Sequence, residues 1–417
     1  MTYNFSPMAT LYPFRALRPT PADASRVAAV PYDVVNAEEA RALADGNPLS
    51  FLRVSRAELE LPPGADPYAD AVYERAAGNF EALKKSALVL EQEPRVYFYR
   101  LKMGAHEQTG LAACYSLDEY DRDIIKRHER TRRDKEDDRT RHMLTLGAQT
   151  GPVFLTYRAS AEIDAIADRV TAGAPLYDFE APDGVRHTLW SIGGAERDTL
   201  ILAFGRVPAL YIADGHHRAA SAARARSDIR DRAITRASLG DDADYTTFLA
   251  VAFPHDQVQI LAYNRIVKEL AGLDPAAFMS AVRDRFEVES GPAAPAARGD
   301  ISMYLQHAWH TIRPRAEVNA ADAIGSLDVS VLQDRLLEPV LGIADIRTDK
   351  RIDFVGGARG TGELEALVDS GRAAVAFSLY PVSVADLMSV SDAGSIMPPK
   401  STWFEPKLRD GLLIHVI

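Results

Sequence analysis

Residues 209–220 read ALYIADGHHRAA. Leu210, Tyr211, Ile212 and Ala213 form an apolar run suited to a buried strand, and Asp214-Gly215-His216-His217-Arg218 breaks it. Ala219, Ala220, Ala222 and Ala223 then supply strong helix formers. A strand that passes through glycine into a helix aims free backbone N–H groups at whatever lies over the turn, and the helix dipole favours an anion there. His216, His217 and Arg218 add donors and positive charge, while Asp214 adds a carboxylate for a proton or a metal. The combination suits phosphate chemistry. Asp-Gly is also a common turn dipeptide, and a His-His pair can simply cap a helix, so the rest of the chain has to weigh in.

Working outward, the pattern alternates between strand and helix. VAAVPYDVV (27–35) reads as a strand ending in a turn at Pro31-Tyr32-Asp33. Asn36 caps a helix closed by Gly46, and FLRV (51–54) looks strand-like. Helical spacing marks 67–87. RVYFYRLKM and GLAACYSL predict an antiparallel hairpin, and 121–147 a charged helix. GPVFLTY (151–157) and YTTFLAVAF (245–253) predict strands, the second central. Between them lie a helix at 161–171, a hairpin around DGVRHTLWSI and a helix at 194–203. The region after 254 has the pattern of a smaller αβ lobe, and GGARGTG (356–362) reads as a hairpin loop. The expected class is α/β, in mixed α+β form. Three parts are expected: 1–158 with hairpin and charged helix, 159–254 with the glycine turn, and 255–417 with a Pro-Lys-Ser-Thr tail returning to the core.

Composition narrows the chemistry. The 417 residues carry 48 Lys and Arg against 59 Asp and Glu, a formal charge of −11, which argues against nucleic acid as the partner. Cys114 is the single cysteine and sits in an apolar context. That excludes an intramolecular disulfide or a cysteine-built metal cage and suits a reducing, cytoplasmic setting. MTYNFSPMATLYPFRALRP has no signal-peptide pattern, and no apolar run reaches the roughly 20 residues of a membrane span. His187, His255 and His415 stand isolated.

Against this acidic background, KRHERTRRDKEDDRTRH (126–142) has eight Lys/Arg and five Asp/Glu. Dense mixed charge is ordinarily a solvated helix face. His128-Glu129-Arg130-Thr131 within it is less ordinary, because Glu129 could serve as a base or Mg²⁺ ligand and Arg130 could hold phosphate bidentately. Near the end, Lys400-Ser401-Thr402 follows Met397-Pro398-Pro399. It has the ending of a phosphate loop without the preceding glycines, so it is not a Walker motif.

These separated segments, together with NPLSFLRV (47–54), RIDFVGG (351–357) and MPPKSTWFEPKL (397–408), resemble the DUF1015 family of uncharacterised bacterial and archaeal proteins. Where that family suggests Pro-Tyr-His-Arg, this chain has Ala262-Tyr263-Asn264-Arg265. The glycine turn is also similar to the phosphate-binding motif of the ParB/sulfiredoxin superfamily, which includes free-serine kinases with an Asp-Gly-His-Thr-Arg version. Here His217 stands in the threonine's place.

The resemblance implies a ParB/sulfiredoxin-like core with large insertions, and a phosphotransferase acting on a small hydroxyl amino acid, L-serine first. ATP, ADP or pyrophosphate would be the donor and Mg²⁺ the metal. Gly215, His217, Arg218, Arg130, Lys400, Ser401 and Thr402 would hold phosphate. Asp214, Glu129 and His216 would be catalytic, with Asp214 and Glu129 as metal ligands. Asp33 and Arg53 would bind the substrate's ammonium and carboxylate. The alternatives are a ParB-like regulator that binds or hydrolyses nucleotide, and a non-catalytic assembly protein using 126–142 as its interface. A sulfiredoxin-type activity does not fit a turn filled by His216 and His217 in place of cysteine.

Overall fold

The computed structural model describes residues 8–62, 64–234 and 244–417; the first residues of the segment read above for a signal pattern lie outside these. The fold is mixed α/β, as expected. Its internal contacts divide it into two units. The first takes in the described residues of 1–127, 131–258 and 406–417, and the second 128–130 and 259–405. One cut falls at 258/259, and residues 406–417 belong to the first unit. The expected division at 158/159 has no counterpart in this partition, because strands from both sides of it share one sheet.

The described part of the first unit is built on a nine-stranded sheet. In spatial order its main path runs Ile125–Lys126, Leu210–Asp214, Val153–Tyr157, Thr247–Pro254, His106–Ser116, Val96–Met103, Arg186–Ile192 and Tyr177–Glu180. Thr247–Pro254 is central. It pairs parallel to Val153–Tyr157 and antiparallel to His106–Ser116, and all eight of its residues are buried. Its nearly continuous apolar sequence suits a strand covered on both faces. The predicted hairpin forms in full, with Tyr97 opposite Ala112 and Lys102 opposite Glu107. Cys114 is buried within it. Helix Ala37–Ala44 has a capping box between Asn36 and Glu39, and helix Asp70–Ser86 turns Tyr73, Phe80 and Leu83 inward.

Several local expectations fail here. VAAV is not a strand: Ala24–Val27 is a short helix, and Ala29 forms an isolated bridge to Asp410. FLRV is helical over Leu52–Ser55, which packs on helix Asp70–Ser86. Short β-branched and apolar runs carry no decisive period, and tertiary packing settled both. The charged helix begins only at Arg133 and ends at Leu146, capped by left-handed Gly147, so the 128–131 tetrad is not helical. That helix is not a wholly solvated face either, because Asp138, Thr140 and His142 are buried.

The second unit has a six-stranded sheet in which all adjacent pairs are antiparallel, running Phe286–Ser290, Ala308–Pro314, Ile301–Leu305, Val375–Leu379, Tyr263–Val267 and Ile352–Gly356. GGARGTG is not a hairpin loop. Its Gly357–Arg359 portion makes a 3-10 turn leading into helix Gly362–Asp369. No described helix is long and apolar enough to cross a membrane.

The sheet of the first unit depends on a glycine for close packing. A Cβ on Gly110 would lie 2.7 Å from side-chain atoms of both Val251 and Phe253. Gly110→Ala should therefore lower stability by about 1–3 kcal/mol, read as a shifted denaturant midpoint with unchanged slope. An unshifted midpoint would show that the two strands yield freely.

Candidate functional site

Strand Leu210–Asp214 delivers the chain to Gly215, and helix His216–Ile234 begins at the next residue. The register against Val153–Tyr157 shifts between Ile212 and Asp214, which re-aims the strand end. Gly215 has φ +91°, and a Cβ there would come within 2.9 Å of Arg218 Nε. Glycine is thus required twice, by backbone conformation and by the guanidinium folded against it.

Arg218 is held in that position. One Nη donates to the Pro152 carbonyl, and the side chain is only 10% exposed. Its Nε is buried without a hydrogen-bond partner. Burial works against its charge, yet Asp214, Asp33 and Asp410 together raise its pKa above the usual value. The charged, incompletely satisfied edge of Arg218 therefore lies against the turn at the start of a helix, where the first N–H groups have no intrahelical acceptor.

Asp214 is already committed. Its Oδ1 accepts the Gly215 N–H at 2.7 Å, and its Oδ2 accepts from Lys407 Nζ at 2.9 Å. Burial alone would raise its pKa, but Lys407, Arg218 and His216 hold it well below the carboxylate range. Both expected roles, base and metal ligand, meet a carboxylate already engaged: one so acidic is a poor proton acceptor, and an ammonium group is seated on its Oδ2. Lys407 was not anticipated, because it lies 193 residues further along and no spacing rule connects the two.

His216 is buried at the first helical position. His217 accepts the Arg132 N–H at its Nε2, 3.0 Å away, tying the turn to the loop before the charged helix. Asp33 is exposed, its carboxylate makes no hydrogen bond or ion pair among the described residues, and it acts electrostatically on both Arg218 and Asp410. Arg53 does not join this group. Its guanidinium donates to the Asn47 and Ala44 carbonyls at 3.0 Å each and to Glu60 at 2.6 Å, which makes it a brace for its own loop and corrects the expected substrate role.

Beside the turn lies a cavity of about 40 Å³ whose wall includes Tyr32, Arg139, His142, Gly151, Arg218 and Asp410. Arg139 stacks over the Tyr32 ring at 4.2 Å and pairs with Asp138, whose other oxygen accepts from Tyr73. His142 bonds the Val54 carbonyl, and burial pushes its pKa down to about 4, so it stays neutral. Asp410 is 3% exposed, with Oδ1 lacking any hydrogen-bond partner. Burial drives its pKa up to about 7, opposed by Arg218 and Arg139 and reinforced by Asp33. Of these wall residues, the sequence reading missed Tyr32, Arg139, His142, Gly151 and Asp410. No local signal marked them, because the dense mixed charge of 133–146 reads as an ordinary solvated face.

The second unit carries the other expected residues. His128 accepts the Met397 N–H at its carbonyl, and the Thr402 hydroxyl lies 3.5 Å from His128 Nε2. Glu129 is half-buried and Arg130 exposed beside it in sequence. Lys400 is left-handed at φ +59°, its Nζ 5.3 Å from the Tyr263 ring centre and its carbonyl accepting from Arg265. The Ser401 hydroxyl donates to the Pro398 carbonyl at 2.6 Å, so its proton closes the loop.

The sequence profile of DUF1015, described as a protein of unknown function, matches residues 11–330. No curated protein matches the chain. Among solved structures, a free serine kinase in complex with AMP is similar at 13% identity and TM-score 0.36, covering 72% of this chain and 91% of its own. SbnI with a C-terminal truncation from Staphylococcus aureus is similar at 11% identity and TM-score 0.39, covering 73% and 87%. A conserved hypothetical protein from Pyrococcus furiosus is similar at 13% identity and TM-score 0.35, covering 73% and 95%. Scores at this level leave the chemistry to be argued from the residues.

Two outcomes follow from the geometry. Gly215→Ala combines a left-handed penalty with a clash against Arg218 and should cost about 1–3 kcal/mol; a melting temperature equal to wild type would contradict it. For Asp410, an unfolded aspartate loses its proton near the ordinary value, whereas the folded group keeps it until about pH 7. The folded state then binds more protons, so this contribution, on the order of a few kcal/mol, is present at low pH and is lost as pH rises through that window. The melting temperature of wild type relative to Asp410→Asn should fall between about pH 4 and 7 and level off above that, and a constant difference would refute the burial argument.

Proposed function

The chain belongs to the DUF1015 family, and we propose that it is a phosphotransferase moving a phosphoryl group from a nucleotide or pyrophosphate to the hydroxyl of a small amino acid, L-serine foremost. The observation that carries this reading is Arg218, a buried guanidinium whose Nε lacks a partner and which lies against left-handed Gly215 at a helix N-terminus. Helix N–H groups and a guanidinium fork match the oxygens of a phosphate chain.

In the reaction, the substrate hydroxyl oxygen forms a bond to the terminal phosphorus while the bridging P–O bond breaks. The leaving phosphate keeps the electron pair, and Arg218 and the helix N-terminus balance the charge. The hydroxyl proton passes to a carboxylate. Asp33 is better suited than Asp214, because it acts electrostatically on Arg218 and has no cation paired to it among the described residues. Loose phosphoryl-transfer transition states need positioning and charge balance more than a strong base. Asp214, locked to Lys407, holds the turn in shape.

The test incubates the protein with ATP, ADP or pyrophosphate and L-serine, with divalent salt present and absent, and follows phosphoserine by mass. Arg218→Ala should weaken donor binding at least about tenfold, with Arg218→Lys recovering only part of it because the fork is lost. Donor consumed without a phosphorylated amino acid would favour the nucleotide-hydrolysing regulator. Undiminished binding in Arg218→Ala would remove the basis of the proposal.

A further inference from the structure

We propose that the cavity beside the glycine turn is the seat of a free α-amino acid, its ammonium received by Asp410 and its carboxylate by Arg139. The inference rests on the phosphotransferase reading for its connection to catalysis, but its own evidence is separate.

The cavity has opposed charges on its wall. Asp410 is buried with Oδ1 unpartnered, an expensive state for a carboxylate oxygen that a donor-bearing cation would relieve. Arg139 has its Nε and Nη2 both 2.8 Å from Asp138 Oδ2, while its Nη1 makes only a long 3.4 Å contact with the Ser55 carbonyl. That leaves donor capacity for an anion, and Tyr32 stacks beneath the guanidinium to fix its plane. A cation acceptor and an anion donor on one small cavity match a zwitterion better than either a simple anion or a simple cation.

Size restricts the side chain. A volume of about 40 Å³ accommodates roughly three water-sized bodies. That excludes an amino acid with an aromatic or long side chain. Gly151 keeps this space open, because a Cβ there would stand 2.5 Å from Asp410 Oδ1. Arg218 belongs to the same wall, so the seat adjoins the turn proposed for the phosphate chain. Asp410 thereby becomes a specificity-determining residue that no sequence motif indicated.

The experiment measures binding to the full chain by calorimetry, using L-serine, glycerate, which lacks the ammonium, and ethanolamine, which lacks the carboxylate. ADP serves as a separate probe of the phosphate turn. Wild type should bind L-serine and bind both analogues at least about tenfold more weakly, the loss expected for one charged hydrogen bond. Asp410→Asn should weaken L-serine by a similar factor while leaving ADP affinity within about twofold. Gly151→Ala, which keeps the Asp410 carboxylate but crowds it with a methyl group, should do likewise and decides the matter if Asp410→Asn fails to fold. Glycerate binding as tightly as L-serine, or L-serine binding unchanged in a folded variant, would overturn the inference even if ADP binds. Absence of binding by ADP, ATP and pyrophosphate alike, with Asp410-dependent L-serine binding, would instead leave the amino-acid seat standing and sink the phosphotransferase reading.

Discussion

The candidate site depends on the contact between the Arg218 guanidinium and the backbone of Gly215. No residue with a Cβ can occupy that position without displacing the guanidinium, and none but glycine adopts φ +91° at little cost. The Pro152 carbonyl and the acids around Arg218 then hold a positive charge where a helix begins. Asp214 supports the arrangement from below, bonded to the Gly215 N–H and to Lys407. A carboxylate in that role is structural: it balances buried positive charge and shapes the turn, and its depressed pKa follows directly.

The polar interior next to the turn obeys the same rule that buried charges must be paired or put to use. Asp138 is satisfied by Arg139 and Tyr73, and His142 remains neutral on a carbonyl. Asp410 differs, carrying a buried oxygen without a donor, as Arg218 carries a buried Nε without an acceptor. Natural folds tolerate few such atoms, and those they keep call for water or a ligand. The unpartnered Asp410 oxygen and Arg218 Nε both belong to residues of the cavity wall.

Much of the architecture was legible from local pattern. The hairpin of Val96–Met103 and His106–Ser116, the central strand Thr247–Pro254 and helix Asp70–Ser86 each have a long, unambiguous period. Failures came where the run was short. Residues 51–54 and 27–30 are apolar and β-branched enough to suggest strands, but packing against neighbouring helices and the bridge to Asp410 set their conformation. The 133–146 helix was misjudged as surface for a different reason: charge composition does not reveal which face a helix turns inward.

The sequence by itself determined the strand–glycine–helix unit at 210–234, because those signals act between residues within a few positions of each other. It also determined the family and the presence of arginine and histidine at the turn. Only the tertiary structure decided that Lys407 would neutralise Asp214, that Arg53 would brace its own loop, and that Arg139 and Asp410 would line one cavity with Arg218. Those relations join residues up to several hundred positions apart. They arise from sheet register and helix packing, which no local preference encodes.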